Sequence, residues 1–409
     1  LSSAASDVYK RQDNTSLQKV TINSSLKQVT WADFKGERIG KPVPSIKEIG
    51  SSYNTIVLNY VMTAAGENGE VEYYNVEEYY RVRYGNSRMY LLNYERTMNE
   101  IFRGESERVT TGSISLGIRS QNVEYMTNER ESVVAFVQEG ELWSYNSDDN
   151  RLSRIYSFRG AEGIDERENN PQHQIKIIKI DEVGSMDFVV YGYMNRGEHE
   201  GNVGIAVYHY DGVGNTTEEE LFIPSDKSYE MLKTEWGNIF YVSDGNVFYL
   251  LAGDNLYSIN LYSRESKKVL SGLEAGQYAV SDTGRYIAWQ DSDNRYHADS
   301  LKIMDLEGEE IREVTAGEGE YLLPVGFVQD DFVYGAARQS DVVIDSAGNT
   351  QFPMYRIQII DETGEVVKDY QKDGYYITKA YVENETIFLN RVYQNGTGYV
   401  SAEQDTIKN

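Results

Sequence analysis

The sequence predicts an all-β protein built from repeated four-stranded units. Tyr (34) and Gly (35) far outnumber Phe (12) and Pro (6), and aromatic and β-branched residues favour strands. Short alternating apolar runs are bounded by Gly, Asn and Asp, whereas helical periodicity is weak. Two pairs of segments also repeat at related offsets. Together these observations predict a β-propeller of about seven four-stranded blades, with six and eight as open alternatives.

Composition and charge exclude several classes of protein. The 409 residues include 65 acidic and 39 basic side chains, which gives a net charge of −26. Nucleic acid and an anionic membrane surface are therefore disfavoured as partners, because both are negatively charged. The chain has no Cys, which excludes disulfides, thiol nucleophiles and Cys-ligated metals. No apolar run approaches the roughly 20 residues needed to span a bilayer.

The two ends do not look like natural termini. Residues 1–12 start at Leu1, lack an apolar signal-peptide core and resemble a read-through leader. We expect residues 1–12 to be a non-native or disordered leader and residues 13–409 to form a single propeller domain. We also expect the natural protein to continue in both directions, so that a signal peptide, lipid anchor or catalytic domain lies outside this chain.

Internal repeats define the size of the unit. Residues 133–146 match residues 247–260 at an offset of 114, and residues 301–308 match residues 357–364 at an offset of 56. If the larger offset spans two units, both indicate about 57 residues per unit, which suits a four-stranded blade. Asp305-x-x-Gly308 and Asp361-x-x-Gly364 fall at the same place in their units. Asp can cap such a turn and Gly accepts its positive φ.

Seven units follow from this pattern, each with strands A to D. Their predicted bounds are 50–103, 120–158, 174–223, 228–270, 276–315, 320–370 and 375–409. Residues 71–84 in the first unit predict an extended hairpin. The last unit lacks a clear fourth strand. We expect residues 15–30, with the alternating run 17–22, to supply it and close the ring, because closure removes exposed sheet edges.

One blade shows a family resemblance. Strand A is residues 278–280, strand B is residues 286–289, and Asp282-Thr283-Gly284 separates them; residues 300–308 supply strand C and its turn. This pattern resembles the blade signature of TolB-type propellers. It is similar also to the propellers that precede the hydrolase of dipeptidyl and prolyl peptidases. The resemblance is good over 276–315, fair in the next blade and weak elsewhere. It implies a propeller of a bacterial surface protein or lipoprotein, without an activity.

The loops of one propeller face are the predicted interaction surface. The B–C loops and D–A connections of a propeller open on the same face, and loops on rigid scaffolds commonly carry function. Long B–C loops span 195–202, 291–299 and 338–353, and a long D–A connection spans 159–173. The candidate residues of this face are His173, Asn195, Arg196, Glu198, His199, Glu200, Asp291, Asp293, Asn294, His297, Asp299 and Arg338.

Motifs for specific chemistry are missing from the sequence. Solvated loops are the alternative to a metal held by His and carboxylates, and no His pair has ligand spacing. We therefore predict no metal and no cofactor. There is no Gly-x-Ser-x-Gly elbow and no phosphate-binding loop. The stretch 291–296 does not fit an EF-hand. A glycosidase pair cannot be selected among 65 acids.

The sequence favours a non-catalytic, extracytoplasmic β-propeller that acts as a protein- or ligand-binding scaffold or sensor. Its expected partner is a protein, a peptide or a glycan, with membrane association only through an anchor outside this chain. Two alternatives stay open. One is the propeller of a prolyl-oligopeptidase-like serine hydrolase whose catalytic domain lies outside the chain, and the other is a propeller glycosidase.

Overall fold

The computed structural model describes residues 16–66, 69–105, 108–110, 113–119, 123–160, 165–235, 240–292, 294–344, 348–383, 385–396 and 398–408. Nearly all regular structure in these residues is β-strand. The described helices are short: α1 (Leu26–Val29), α2 (Tyr229–Glu235) and a 3₁₀ turn at Gln339–Asp341. No described helix is long and apolar enough to cross a membrane. The chain divides into two compact units, with the boundary between Tyr229 and Glu230.

The first unit contains three sheets of four or five strands among its described residues. Sheet 1 has the order β1-β5-β4-β3-β2, and sheets 2 and 3 are antiparallel meanders. Sheet 1 consists of β1 (Lys19–Thr21), β2 (Glu37–Ile49), β3 (Asn54–Ala65), β4 (Val71–Tyr84) and β5 (Met89–Glu100). A small hairpin follows, β6 (Val109–Thr110) and β7 (Ser113–Ile114). Sheet 2 consists of β8 (Tyr125–Thr127), β9 (Val133–Gln138), β10 (Glu141–Asn146) and β11 (Arg151–Tyr156). Sheet 3 consists of β12 (His173–Ile180), β13 (Met186–Tyr193), β14 (Val203–Asp211) and β15 (Thr216–Ser225).

The second unit contains four further four-stranded sheets in its described part. Sheet 4 consists of β16 (Phe240–Val242), β17 (Val247–Ala252), β18 (Asn255–Asn260) and β19 (Ser266–Leu270). Sheet 5 consists of β20 (Tyr278–Val280), β21 (Tyr286–Gln290), β22 (Ser300–Asp305) and β23 (Glu310–Thr315). Sheet 6 consists of β24 (Glu320–Val328), β25 (Asp331–Arg338), β28 (Arg356–Ile360) and β29 (Val366–Gln371), with the inserted hairpin β26 (Val343–Ile344) and β27 (Thr350–Gln351). Sheet 7 consists of β30 (Tyr375–Glu383), β31 (Thr386–Asn395), β32 (Gly398–Ser401) and β33 (Asp405–Lys408).

The core lies between consecutive sheets within each unit. One cluster joins Leu142 of sheet 2 to Phe188 of sheet 3. In the second unit, the cluster between sheets 5 and 6 includes Leu301 and Phe332. Strands with apolar residues on both faces are buried: β21 along its whole length and β13 at every residue but the last. Successive four-stranded antiparallel meanders packed through such clusters are the blades of a β-propeller. The all-β class is thus confirmed, while the number of blades stays a prediction.

Of the two predicted Asp-x-x-Gly turns, Asp361-x-x-Gly364 has the expected geometry, whereas in Asp305-x-x-Gly308 the positive φ falls on Glu309 and not on Gly308. Oδ1 of Asp361 accepts hydrogen bonds from the backbone N–H groups of Thr363 and Glu365, at 2.9 and 3.0 Å. Gly364 has a φ of 88°, a conformation that side chains with a Cβ rarely adopt. The side-chain cap and the glycine together fix a tight turn between the outer two strands of sheet 6.

One strand assignment is wrong. The run 17–22 does not complete sheet 7, because Lys19, Val20 and Thr21 pair with Thr97, Arg96 and Glu95 of β5. In sheet 7, β32 and β33 both pair with β31, one beyond the other, so this sheet is three strands wide. The local reason is burial, since Val20 is fully enclosed against sheet 1. A run of three strand residues carries too little pattern to select between two open edges.

Candidate functional site

The candidate site is a cavity in the first unit with a volume of about 370 Å³. Its walls come from β4, from the β9–β10 turn, and from the connection that leads from β11 into β12. Most of its side chains are polar. The polar residues that matter below are Asn75, Glu139, Arg159, Asn169, Asn170 and His173. In strand order this connection is a D–A segment and the β9–β10 turn is a B–C turn.

The β9–β10 turn forms one wall. Glu139 and Gly140 have positive φ values of 49° and 77°, the combination that a two-residue hairpin turn of type I′ needs. A Cβ on residue 140 would lie 2.7 Å from Nε2 of His173. Glycine at this position therefore serves both the backbone conformation and the close approach of the His173 ring.

His173 opens β12 and is buried, with 7% of its surface exposed. Its Nε2 lies 3.3 Å from the carbonyl oxygen of Gly140, so the ring donates a hydrogen bond from this nitrogen. The edge of the ring meets Phe158, with 4.9 Å between the ring centroids. Burial lowers the pKa of His173 to about 4. The imidazole is therefore neutral at physiological pH.

Arg159 brings a buried positive charge to the cavity. Its side chain is 9% exposed, and its Nη1 lies 3.6 Å from Oε2 of Glu141. Nε donates to Oδ1 of Asn169 at 2.6 Å. Nη1 itself makes no hydrogen bond within the described residues. A buried guanidinium with an unused donor is costly, because burial removes the water that would otherwise solvate it.

Glu139 is the first residue of the β9–β10 turn and also lines the cavity. Its Oε2 accepts a hydrogen bond of 2.6 Å from Nδ2 of Asn75. Burial raises the pKa of the Glu139 carboxyl, and this effect outweighs the Asn75 hydrogen bond and the nearby Arg159 charge. A raised pKa means that the surroundings do not fully compensate the ionised carboxylate.

The arrangement is suited to binding. His173 contacts a backbone carbonyl, and the Ser157 hydroxyl donates to Oε1 of Glu141 at 2.5 Å, so these two side chains do not form a nucleophile–base pair. Across the part of the chain that the structure describes, no group of three or more His, Asp or Glu could hold a metal ion. What the cavity offers is one buried cation and one incompletely compensated carboxyl.

The predicted residues of the first unit gather beside this cavity. Nδ2 of Asn195 donates to the carbonyl oxygens of Glu168 and Asn170, at 3.1 and 2.9 Å. Arg196 forms ion pairs with Asp165, Glu168 and Glu200. The B–C loop of sheet 3 is thereby tied to the D–A connection, as the strand order predicts.

His199 and Glu198 lie in the same loop but take no part in the cavity lining. His199 stacks on Phe222 with 3.7 Å between ring centroids, and its Nε2 lies 2.8 Å from Oε1 of Glu219. Glu198 is exposed. These contacts account for His199 as a loop-fixing residue.

The predicted residues of the second unit form a separate loop cluster. Lys302 donates to Asp291 at 2.6 Å, and Nδ2 of Asn294 lies 3.3 Å from Nδ1 of His297. His297 stacks on Tyr321 at 5.0 Å. Asp299 is exposed before β22, and Arg338 lies over the ring of Tyr355 at 4.4 Å. Asp293 falls outside the described residues.

Sequence reasoning missed Glu139 and Arg159 as individual residues. Arg159 lies at the start of the predicted D–A connection, and Glu139 lies in a turn that the repeat analysis delimits. The available signal was the Glu-Gly turn directly preceding a strand that carries a buried acid, Glu141. Only the folded structure shows that both residues line the same cavity as His173.

Comparisons with known proteins give no family. No family model matches the chain, and no curated protein matches it either.

Solved structures give similarities at low identity. The β-propeller domain of the Trilobed protease from Pyrococcus furiosus is 13% identical, with 91% of this chain and 93% of that chain covered and a TM-score of 0.29. Acylaminoacyl peptidase from Pyrococcus horikoshii is 10% identical, with 88% and 51% covered and a TM-score of 0.33. Dipeptidyl peptidase 4 from Porphyromonas gingivalis is 11% identical, with 70% and 53% covered and a TM-score of 0.27. The matches to the last two extend over about half of their lengths. At identities of 10–13% and TM-scores of 0.27–0.33, these similarities assign no activity to this chain.

Proposed function

We propose that the protein is a non-catalytic binding module whose cavity beside β12 takes a short peptide or amino acid with a free ammonium and a free carboxylate. The observation that carries this proposal is Arg159, which lines the cavity and whose buried Nη1 makes no hydrogen bond among the described residues. A ligand carboxylate would give this donor a charge-assisted hydrogen bond.

Glu139 supports the second half of the proposal. Its pKa is raised by burial, so the ionised carboxylate gains most from a new positive charge nearby. A ligand ammonium beside Glu139 would favour ionisation and supply the missing compensation. A ligand with both charges would pair with both Arg159 and Glu139. A simple anion would leave the Glu139 carboxylate uncompensated and would be repelled by it.

The size and stiffness of the site fit such a ligand. A volume of about 370 Å³ falls at the small end of ligand pockets, which run from about 300 to 1,000 Å³. Asn195 and Arg196 hold the D–A connection in place. A pre-formed wall lowers the ordering cost of binding.

The non-catalytic role and the extracytoplasmic location belong to the same proposal. The first is supported by the missing Gly-x-Ser-x-Gly motif and by the carbonyl partner of His173. The second is supported by the resemblance of residues 276–315 to TolB-type blades.

The test is equilibrium dialysis of the whole chain against a pool of dipeptides that carries every side chain. The pool is used in three forms: free, N-acetylated and C-amidated. We expect free dipeptides to be retained, and each block to weaken retention at least about tenfold, the effect of one charged contact. Equal retention of all three forms, or none up to about millimolar ligand, would overturn the proposal. Cleavage of the retained dipeptides would overturn its non-catalytic part.

A further inference from the structure

Sheet 1 has a projecting end that the cavity does not involve. Strands β2 to β5 are 12–14 residues long, twice the length of most strands in sheets 2 and 5. Two turns close this end, with Gly50 N–H donating to the Tyr53 carbonyl at 2.9 Å and Gly85 N–H donating to the Arg88 carbonyl at 2.8 Å. We call residues 41–56 and 79–93 the basic tip.

The packed part of sheet 1 ends at the base of this tip, where Thr55 and Tyr94 are still buried. Trp31 and Phe34, after α1, pack on Tyr60, Met62 and Tyr74. Asn54, at the start of β3, is six residues before Tyr60 along the strand. At a rise of about 3.3 Å per residue, Asn54 lies roughly 20 Å from Tyr60 along the strand.

The tip continues the apolar face of the covered core without a cover of its own. Asn54 lies on the same face of β3 as Tyr60, because the two are an even number of residues apart. On one side Asn54 pairs with Ile49 of β2. On the other side it pairs with Val82 of β4, which in turn pairs with Leu91 of β5. Tyr84 and Met89 form the last pair of this face. Ile49, Tyr84 and Met89 are 79%, 73% and 62% exposed. Ile46, Leu91 and Leu92 are also exposed.

The charge of the tip is opposite to that of the chain. It contains five basic residues and one acid, Glu48, in a protein with 65 acids and 39 bases. The basic residues are Lys41, Lys47, Arg81, Arg83 and Arg88.

Aromatic rings hold three of these cations around the apolar end. The guanidinium groups of Arg83 and Arg88 lie 5.5 and 4.6 Å from the ring centroid of Tyr90. Arg81 lies 4.6 Å from the ring centroid of Tyr53. The apolar side chains lie at the apex, and the Tyr and Arg side chains lie behind them. This arrangement is typical of a segment that enters the headgroup region of a bilayer.

We propose that the basic tip docks on the surface of an anionic lipid bilayer, with Ile49, Tyr84 and Met89 entering the interface and Arg83 and Arg88 meeting lipid phosphates. The net charge of −26 does not prevent this, because charges separated by more than about 8 Å are largely screened at physiological ionic strength. A second copy docked tip to tip would bring like charges together. An acidic protein would account for the arginines but not for an exposed apolar apex without a groove.

The test is co-sedimentation of the whole chain with vesicles. One set is phosphatidylcholine alone, and the other is an equimolar mixture of phosphatidylcholine and phosphatidylserine. We expect binding to the anionic vesicles only, and release as salt is raised. The double variant Arg83→Gln/Arg88→Gln should weaken partition by about 25-fold, at about fivefold per cation. Tyr84→Ser/Met89→Ser should weaken it at least tenfold through lost apolar burial.

A matched control is Val183→Ser/Arg130→Gln, which removes one exposed apolar residue and one exposed cation outside the tip. It should bind the anionic vesicles like the unchanged protein. The tip variants should keep the unchanged melting temperature within a few degrees, because their side chains are largely exposed. Absence of binding to anionic vesicles, or tip variants that bind as well as the control, would overturn the proposal. Tip-dependent dimers in sedimentation velocity, or tip-dependent binding to polyglutamate, without vesicle binding would overturn it as well.

Discussion

The Nε2 atom of His173, the first residue of β12, lies 3.3 Å from the carbonyl oxygen of Gly140 in the β9–β10 turn. This contact joins sheet 3 to sheet 2 at the wall of the cavity. It needs a residue without Cβ at position 140, and it involves an imidazole at position 173 that burial keeps neutral at physiological pH. Two predictions follow from these two features.

Replacing Gly140 by Ala should destabilise the protein by about 2–4 kcal/mol. The positive φ of 77° costs about 1–2 kcal/mol for a residue with Cβ, and the 2.7 Å approach to His173 adds a packing cost of about 1–2 kcal/mol. Urea denaturation of the first unit measures the effect. Gly184→Ala is the control, since φ is 85° there but the Cβ would make only an ordinary contact of 3.5 Å with Val133. Equal losses for the two variants would show that the His173 contact is unimportant.

His173 should make the protein less stable in mild acid. Its pKa is about 4 in the folded state and 6.5 ordinarily, so the unfolded chain binds a proton that the folded chain does not. The stability from this residue is complete above pH 6.5 and is lost as the pH falls from 6.5 towards 4, by up to about 3 kcal/mol. Unfolding free energies of the unchanged protein and of His173→Gln, measured from pH 7 to pH 4, should converge at low pH. Parallel curves would contradict a neutral, buried imidazole.

Asn195 should hold the D–A connection against the B–C loop. Asn195→Ala removes two donors from the carbonyl oxygens of Glu168 and Asn170, and we expect a loss of about 1–3 kcal/mol. Hydrogen exchange of residues 165–173 should become faster, while exchange in β14 stays the same. Replacement of the exposed Glu198 by Ala in the same loop serves as the control and should change neither quantity.

Replacement of Arg96 even by Lys should destabilise the protein. It is 1% exposed, donates to the carbonyl oxygens of Gln28 and Val29 at 2.7 and 3.1 Å, and lies 3.6 Å from the ring centroid of Trp31. Lys lacks the planar group that can stack and donate in two directions, so Arg96→Lys should cost about 1–3 kcal/mol. The exposed Arg38→Lys should stay within about 0.5 kcal/mol. A comparable small effect at both positions in thermal unfolding would refute the structural role of Arg96.

The repeating strands could be predicted because local patterns specify them. Strands A and B, predicted at 278–280 and 286–289, coincide with β20 and β21 within one residue at each end, since alternation and turn residues act within a few residues. Residues 71–84, expected as an extended hairpin, form instead the single strand β4, which pairs with β3 on one side and with β5 on the other. The partner of β1 could not be predicted, because it depends on which open edge can bury Val20.

The site was predictable only in part. Position in the strand order placed His173, Asn195 and Arg196 on one loop face, and the first unit brings these segments together. Glu139 and Arg159 could not be singled out, since their roles come from burial and from the approach of separate sheets. Among 65 acidic residues, no local pattern distinguishes Glu139, whose carboxyl pKa is raised by burial.

The most direct test of the central claim is the dissociation constant of a retained dipeptide for Arg159→Gln, measured by calorimetry. The account predicts at least about tenfold weaker binding, because a charge-assisted hydrogen bond of about 1.5–3 kcal/mol is lost. Arg130→Gln, which removes an exposed cation of the same unit, should bind within about twofold of the unchanged protein. Thermal unfolding of both variants checks that they are folded. The same binding measurement on Glu139→Gln tests the proposed contact with the ligand ammonium. Unchanged binding by a folded Arg159→Gln protein would contradict the assignment of this cavity.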